Sequence, residues 1–277
     1  MGIRNLAYCI LDVPAVEKVR SIGDAKDAEK PVLKAWHRLA VSSKPEVVED
    51  EAPVKEAFDP ATLSSIAYTL LKHRLLAMNP NIVLIERQRF RSMGSKHILE
   101  WTIRVNMFES ILYATLNTLK AEGLWQGNVI PVTPGKVGPF WVGDESEFLE
   151  ETEKVKAEAT KKKIRTSKSA KIKNKGAKID LVRAWCESGK VVDWGSEQVE
   201  EMVGRYREKW NTKPGRGKGK GTGTGGTVSK NDGEKKMGKL DDLADCLLQG
   251  MAWVEWEKNK RLVFEKGYQS MIEDSNS

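Results

Sequence analysis

A run of apolar residues that ends in an acid is the first feature of this sequence that could do chemistry. The segment IVLI at 82–85 is followed directly by Glu86. Such a run is typical of a strand buried on both faces, and ligands bind beyond the carboxyl ends of strands in open α/β sheets. A buried carboxylate is unfavourable unless it is paired or holds a metal ion. Glu86 is therefore either a ligand at such an edge or a strand-end acid paired with Arg87 or Arg89.

A second group of acids begins the last helical segment. In the run KLDDLAD at 239–245, Asp242 and Asp245 are three residues apart, and Asp241 and Asp245 are four apart. Side chains at either spacing share one face of a helix. Acids in a first turn also suit the helix dipole, so simple N-terminal capping is the alternative. Three acids before the apolar stretch LADCLLQGMAW are more than capping needs.

Helix carboxylates that face a strand-end carboxylate form a site of hard oxygen ligands. Such ligands suit Mg²⁺ or Mn²⁺, and two such ions can activate a water molecule and stabilise the leaving oxygen of a phosphodiester. We therefore predict Glu86, Asp242 and Asp245 as catalytic metal ligands, with Asp241 as a further catalytic candidate. We expect Glu86 to converge with the Asp242/Asp245 pair, although more than 150 residues separate them.

The elements that must position these acids alternate between strands and helices. Asp59 and Pro60 are typical of a helix start, and Gly123 is typical of the residue after a helix. The predicted strands lie at 3–11, 32–41, 82–85 and 128–132, and the predicted helices at 60–79, 97–121, 179–185, 197–210 and from 240 onward. This order indicates an α/β fold with a mixed central β-sheet flanked by helices.

Two basic tracts interrupt an otherwise acidic chain. The net charge of +7 combines +10 between Lys154 and Lys178, +6 between Lys213 and Lys239, and −9 over the remaining residues. This distribution indicates a polyanion partner that particular segments bind, or else two solvated lysine-rich loops.

The segment at 212–233 is rich in Gly and Lys, cannot bury a core and is expected to be disordered. Gly219-Lys220 is followed by Gly221 and not by the Ser or Thr of a phosphate-binding loop, so we expect no nucleotide cofactor.

The cysteine spacing and the hydropathy bound the compartment. Cys9, Cys186 and Cys246 lie far apart without a CxxC pair, which fits neither a zinc site nor a disulfide framework and favours a reducing compartment. No apolar run approaches the roughly 18 residues of a membrane span. We therefore expect neither a signal peptide nor a membrane partner.

Five blocks of the sequence resemble blocks that characterise the fungal mitochondrial Holliday junction resolvases, a family of the ribonuclease H-like superfamily. They are GIRNLAYCIL, VLIERQRFRS, EWTIRVNMFESILYATL, IPVTPGKVGPFW and KLDDLADCLLQGMAW, and they cover about half of the chain in the family's order. The resemblance implies a ribonuclease H-like fold, a homodimer, Mg²⁺-dependent symmetric nicking of four-way junction DNA and a mitochondrial location. It also implies that Glu86 is the strand acid and that Asp242 and Asp245 are the helix acids.

The sequence departs from this family at its first block. In the family, an apolar strand carrying Asp precedes GIRN by one residue, and here Met1 stands in the intervening position. The resemblance thus implies that the first catalytic carboxylate is absent and that the chain as written is a poor nuclease. Asp12 cannot replace it, because eleven residues of extended chain span roughly 35 Å at about 3.3 Å per residue.

We predict a single nuclease domain over 1–277. Its core is expected at about 1–143 together with 239–265, and three insertions interrupt it. These are a Lys-rich insert at about 144–178, a helical insert at 179–211 and a low-complexity loop at 212–238.

Five arginines near the acids are candidates for contacts with DNA phosphates, because a guanidinium group is always charged and binds phosphate through two hydrogen bonds. They are Arg4, Arg87, Arg89, Arg91 and Arg104. Surface ion pairing is the alternative for each of them.

Two other functions stay open. One is a DNA-binding structural protein that kept the fold and lost cleavage, which the missing acid favours. The other is a ribonuclease H-like nuclease that acts on RNA–DNA hybrids. A comparison of binding to a four-way junction, a linear duplex and a hybrid separates them.

Overall fold

A computed structural model describes residues 3, 5–14, 30–41, 58–89, 98–142, 163–211 and 240–266 of the 277-residue chain. The strands in these ranges are β1 (Leu6–Asp12), β2 (Val32–Leu39), β3 (Ile82–Glu86), β4 (Asn128–Val132) and β5 (Asp193–Trp194). The α-helices are α1 (Pro60–Leu70), α2 (Glu100–Ala121), α3 (Pro134–Val142), α4 (Lys163–Ser188), α5 (Glu197–Asn211) and α6 (Leu240–Lys266). The predicted mixed α/β class is confirmed. The low-complexity loop and most of the predicted Lys-rich insert lie outside the described residues.

The first sheet has the strand order β1-β2-β5. β1 and β2 form an antiparallel pair whose register runs from Leu6 opposite Leu39 to Asp12 opposite Val32, with an irregularity between Ile10 and Leu11. β5 adds a short parallel pairing to β2. The first two predicted strands are thus present and pair with each other, whereas β5 was not predicted.

The second sheet pairs β3 with β4 in parallel, from Ile82 opposite Asn128 to Glu86 opposite Val132. Within the described ranges β3 is hydrogen-bonded to no other strand. Ile85 is its one fully buried residue. β3 does pack on both faces, since Leu84 contacts one hydrophobic cluster while Val83 and Ile85 contact another. Within the described ranges only β4 borders it, so its central position in the sheet stays a prediction.

Both sheets contribute side chains to the same two hydrophobic clusters. Ala7, Cys9 and Leu11 of β1 and Leu84 of β3 pack against the first cluster, which α3, α4, α5 and α6 cover. Leu6 and Tyr8 of β1 and Val83 and Ile85 of β3 pack in the second cluster, which α1 and α2 cover. Because side chains alternate along a strand, the two sheets lie between the same two helical layers.

The predicted helix that ends at Asn79 and the predicted helix at 97–121 are both present. Asp59 caps α1 by accepting a hydrogen bond from the Thr62 backbone N–H at 2.9 Å. A π-helical turn and a 3₁₀ turn continue α1 to Met78, and Asn79 ends the helix with a left-handed backbone (φ 46°). Gly123, also left-handed (φ 71°), follows α2 as predicted.

Three elements differ from their predicted form. No helix was predicted directly after β4, yet Pro134 begins α3 there, because proline is well tolerated in the first turn of a helix. The predicted short helix at 179–185 is the end of the 26-residue helix α4. The helical insert at 179–211 contributes Val182, Trp185 and Tyr206 to the first cluster, so its side chains form part of the core.

Helix α6 is the most deeply buried helix of the described chain and lies against β1 and β2. The Trp36 indole N–H of β2 donates to the Leu243 carbonyl at 3.0 Å. Gly250 allows a close approach to β1, because a Cβ at this position would lie 2.8 Å from Leu11 Cδ1 and 3.6 Å from Cys9 Sγ. The acids that begin α6 are positioned by these contacts.

We predict that Gly250→Val lowers the free energy of unfolding by about 1–3 kcal/mol, because overpacking of a close-packed contact costs this much. Urea unfolding followed by circular dichroism measures it. Gly204→Val is the matched control, since no atom lies within 4 Å of a Cβ at this helical position and any residue with a Cβ is a better helix former than Gly. An equal loss in both variants would contradict a specific contact between α6 and β1.

Candidate functional site

Three aspartates in the first two turns of α6 form the centre of the candidate site. Leu243 and Ala244 of the same turns are buried in the first cluster. Asp241 and Asp242 are partly buried, with side-chain exposures of 20% and 29%, and Asp245 is more open at 42%. The helix thus buries its apolar face and carries its acids on the flank beside that face.

Each aspartate lies beside a cation from another element. Lys175 Nζ of α4 lies 2.5 Å from Asp241 Oδ2, and Lys178 Nζ lies 2.5 Å from Asp245 Oδ1. Because these lysines are three residues apart, they project from the same face of α4. Their ammonium groups neutralise two of the three carboxylates.

Asp242 is less well satisfied than its neighbours. Its Oδ2 is buried without a hydrogen bond, and so is the Arg38 Nε that lies 3.6 Å away, beyond hydrogen-bonding distance. Burial raises the pKa of the Asp242 carboxyl above its ordinary value, and the charge of Asp241 raises it further, while Arg38 lowers it only in part. Arg38 also donates a hydrogen bond to the Asn5 side chain. A buried carboxylate oxygen without a partner is a feature of sites that bind a ligand or a cation.

Glu86 lies at the carboxyl end of β3, opposite Val132 of β4. The backbone beyond it is held by Arg87 N–H, which donates to the Val132 carbonyl at 2.8 Å, and by Gln88, whose backbone N–H donates to Glu109 Oε2 at 3.1 Å. Glu86 is half-buried. The parallel pairing of β3 and β4 therefore fixes where this acid leaves the sheet.

The described part of the chain does not bring Glu86 and the aspartates together as a metal site. Among those residues, no three His, Cys, Asp or Glu side chains lie close enough to hold a metal ion. The chemistry of the donors nevertheless fits a hard cation, since Asp242 has an unsatisfied buried oxygen and two further carboxylates lie within two turns. The assignment of Glu86, Asp242 and Asp245 as ligands stays a prediction.

The candidate DNA-contacting arginines fall into three groups. Arg87 and Arg89 are exposed where the chain leaves β3, and a Cβ at Gly135 of α3 would lie 4.0 Å from Arg89 Nη2. Arg104 forms an ion pair with Glu100, as the alternative for this residue expected, and its guanidinium group lies over the Phe58 ring at 4.1 Å. Arg4 and Arg91 lie outside the described residues.

Three basic residues near the acids were missed from the sequence. The position of Arg38 could have been inferred from the alternation of side chains along β2. Arg38 lies two residues after Trp36 and therefore on the same face of the strand, and Trp36 contacts α6. Lys175 and Lys178 belong to the basic tract between Lys154 and Lys178, which was predicted either to bind a polyanion or to form a solvated loop. Nothing local in that tract indicates that its end packs against α6.

No helix among the described residues is long and apolar enough to cross a membrane.

Comparison with known proteins identifies the family. Residues 1–263 match the family model described as the catalytic domain of mitochondrial resolvase Ydc2 / RNA splicing MRS1. The chain belongs to this family. The resemblance of its sequence blocks to the fungal mitochondrial resolvases is thereby confirmed.

Two curated relatives of the Ydc2 family are both named cruciform cutting endonuclease 1, mitochondrial. The protein of Schizosaccharomyces pombe is 24% identical over 261 residues, which are 93% of this chain and 76% of the relative. The protein of Saccharomyces cerevisiae is 27% identical over 226 residues, which are 76% of this chain and 58% of the relative. The chain therefore spans about three quarters of the first relative and less than two thirds of the second.

A solved structure shares the fold. It is the crystal structure of the yeast mitochondrial Holliday junction resolvase Ydc2, with a TM-score of 0.52 and 21% sequence identity, over 99% of this chain and 81% of that protein. The Ydc2 fold thus extends over the described elements.

We predict that Asp242→Asn stabilises the protein at neutral pH. The pKa of the Asp242 carboxyl is higher in the folded chain than in the unfolded chain, so the folded chain binds the carboxyl proton more tightly. As the pH rises from the unfolded-state pKa through the folded-state pKa, ionisation of this carboxyl therefore lowers the stability of the fold. The variant should therefore melt at a higher temperature at pH 7, and its advantage should disappear towards about pH 4. Thermal melts across this range measure it.

Asp12→Asn is the control for this experiment. Asp12 is an exposed strand-end acid that lies 3.8 Å from Lys34, and surface pairs of this kind contribute about 0–1 kcal/mol. A lower melting temperature of Asp242→Asn at pH 7 would show that its pairing with Arg38 outweighs burial.

Proposed function

We propose that this chain is a structure-selective DNA endonuclease that resolves four-way junctions in mitochondrial DNA recombination. The two curated relatives are named as mitochondrial cruciform-cutting endonucleases. The observation that carries the proposal to this chain is the group of three aspartates at the start of α6, one of which has an unsatisfied buried oxygen. An acidic group in a structural helix end would have all of its oxygens solvated or paired.

We propose Mg²⁺ or Mn²⁺ as the cofactor, held by Glu86, Asp242 and Asp245, with Asp241 beside them. When bound, such ions activate a water molecule and stabilise the leaving oxygen of the phosphodiester. Glu86, Asp242 and Asp245 would hold the ions, while the charge of Asp241 is balanced by Lys175. Lys178 must leave Asp245 for that carboxylate to bind a metal. Its Nζ lies 2.5 Å from Asp245 Oδ1 and balances the charge of that carboxylate.

We propose further that the two sheets are parts of one ribonuclease H-like sheet. They share both hydrophobic clusters, and β1 and β3 each have an edge that pairs with no described strand. An additional apolar strand beside these edges would join the sheets. In the family resemblance this strand ends in the first catalytic Asp, beside the start of β1.

Partners beyond DNA follow from the same family. We propose a homodimer, and the exposed apolar residues at the start of α2 support an interface there. Leu99 is 68% exposed, Ile103 54% and Trp101 38%, whereas Phe108 on the same helix is fully buried in the second cluster. Trp101 contacts the Phe58 ring edge-on, with centroids 5.9 Å apart, and Phe108 belongs to the core.

A junction-binding protein without cleavage is the second candidate function. Two observations favour it: the lysines that already neutralise Asp241 and Asp245, and the family description, which also includes an RNA splicing protein. An RNA–DNA hybrid substrate has no comparable support in the described structure.

We predict that Glu86→Gln and Asp245→Asn each slow the nicking of a labelled four-way junction by about 10²–10³-fold, because a metal ligand contributes several kcal/mol to the transition state. Junction affinity should stay within about threefold, since phosphate contacts and not these acids supply it. Glu201→Gln, which changes an exposed acid on α5, is the control. If Glu86→Gln cut as fast as the control, Glu86 would have no place in the site.

We predict that an upstream extension with the first-strand acid of the family resemblance accelerates nicking. The extended version carries an apolar strand and Asp in front of Met1, and its control carries the same strand with Asn. Only the Asp version should nick faster with Mg²⁺, by about 10²-fold or more, because a first-strand carboxylate completes the metal site. Equal rates of the three proteins would show that the first-strand acid is dispensable here.

A further inference from the structure

A groove beside Glu86 combines exposed aromatic and basic side chains. It has a volume of about 740 Å³ and lies between the end of β4, the helix α3 and the middle of α6. Its walls include Thr133, Lys136, Pro139, Phe140 and Trp256. Volumes of about 300–1,000 Å³ are typical of ligand sites. Because Val132 is both a lining residue and the ladder partner of Glu86, the groove opens next to the candidate catalytic acid.

The aromatic wall is held rigidly while one ring remains accessible. Trp141 anchors α3 to α6 by donating its indole N–H to the Leu248 carbonyl at 2.9 Å, and its ring contacts Trp185 edge-on at 5.0 Å. Phe140 meets Trp256 edge-on, with ring centroids 5.7 Å apart. Phe140 is nevertheless 39% exposed. A fixed aromatic ring with a free face is the type of surface on which a nucleic acid base stacks.

The charge around the groove favours a phosphate. None of the described lining residues is acidic, and Lys136 is exposed at the rim of the groove. Arg89 approaches the same helix, since a Cβ at Gly135 would lie 4.0 Å from Arg89 Nη2. The acids on the neighbouring turns of α6 are already paired, since Glu255 lies 2.7 Å from Lys258 and Glu257 lies 3.6 Å from Lys260. Among the described residues the groove therefore presents a cationic rim beside turns of α6 whose acids Glu255 and Glu257 are paired.

We propose that this groove binds one unstacked nucleotide of a junction strand, with its base against Phe140 and Trp256 and its phosphate beside Lys136 and Arg89. The inference rests on the proposed junction-cleaving function and deepens it. Bases at a branch point are the least costly to unstack, because the adjoining stack is already interrupted. A nucleotide held there would fix the neighbouring phosphodiester next to Glu86. The groove then selects junctions over continuous duplex.

The test combines a protein variant with a missing base. Affinities of the full chain for a four-way junction and a linear duplex are measured by fluorescence anisotropy with EDTA present, at fixed salt. Phe140→Ala should weaken junction binding about tenfold and leave duplex binding unchanged, as expected for one base–aromatic stack. An abasic site, moved in turn through the nucleotides that flank the branch point, should cause the same loss at one position. The two losses should not add, because they remove the same contact.

Matched variants separate stacking from folding. Phe264→Ala removes an aromatic ring that is 78% exposed on α6 outside the groove, and it should bind like the wild type. Phe140→Leu keeps an apolar side chain and should lose affinity as Phe140→Ala does, whereas Phe140→Trp should retain it. Lys136→Gln should lower the slope of log affinity against log salt by about 0.7–0.9, the value for one phosphate contact.

The outcomes distinguish the two proposals. A wild-type chain that binds junction and duplex equally would overturn the proposed function. If the Phe140→Ala or Phe140→Leu variant preferred the junction over the duplex as strongly as the wild type does, the proposed nucleotide site in the groove would be wrong. The proposed nuclease function would be unaffected. Additive losses from the abasic site and Phe140→Ala would also overturn the proposed nucleotide site, because the base would then lie elsewhere.

Discussion

The packing of α6 on the hairpin of β1 and β2 is the contact on which the arrangement of the site depends. Leu243, Ala244 and Leu247 have 0–1% of their surface exposed, so this face of the helix cannot turn towards solvent without losing much of the first cluster. Two indole hydrogen bonds, from Trp36 to the Leu243 carbonyl and from Trp141 to the Leu248 carbonyl, set the position of the helix along its axis. Because these contacts fix both the rotation of α6 and its position along its axis, the acids in the first turns of α6 lie on the flank beside β2 and α4.

That position has an electrostatic consequence. Asp242 is held where burial and Asp241 both disfavour its ionised form, and the protein carries this unfavourable arrangement in its folded state. Groups of this kind are concentrated at functional sites, where stability is exchanged for reactivity. The lysines of α4 reduce the repulsion at Asp241 and Asp245 but do not reach Asp242. The orphaned oxygen of that residue is thus a property of the fold around it, set by the depth at which α6 lies against β2.

Local patterns predicted the elements well and their lateral pairing poorly. The cap at Asp59, the glycine after α2 and the apolar faces of the helices depend on residues close in sequence, and all of them are present in the structure. The separation of the described strands into two sheets and the contacts of Lys175 and Lys178 depend on residues far away in the chain, and no periodicity encodes them. Proline is compatible with both the end of a strand and the start of a helix: Pro134 follows β4 and is the first residue of α3. In the candidate site, the spacing of the three aspartates predicted that they share one side of a helix. The arginine and the two lysines that face them could be identified only once the fold was known.

The ion pairs of Lys175 and Lys178 also bear on how the chain reaches its native state. In many small metalloproteins the ligands repel one another until the ion arrives, so that metal binding and folding are a single event and chelators denature the protein. Here two of the three aspartates bring their own counterions from α4, at 2.5 Å each, and a large apolar face holds α6 independently of them. The charges of Asp241 and Asp245 are thus balanced within the chain itself, so their mutual repulsion does not oppose the packing of α6 on the hairpin of β1 and β2.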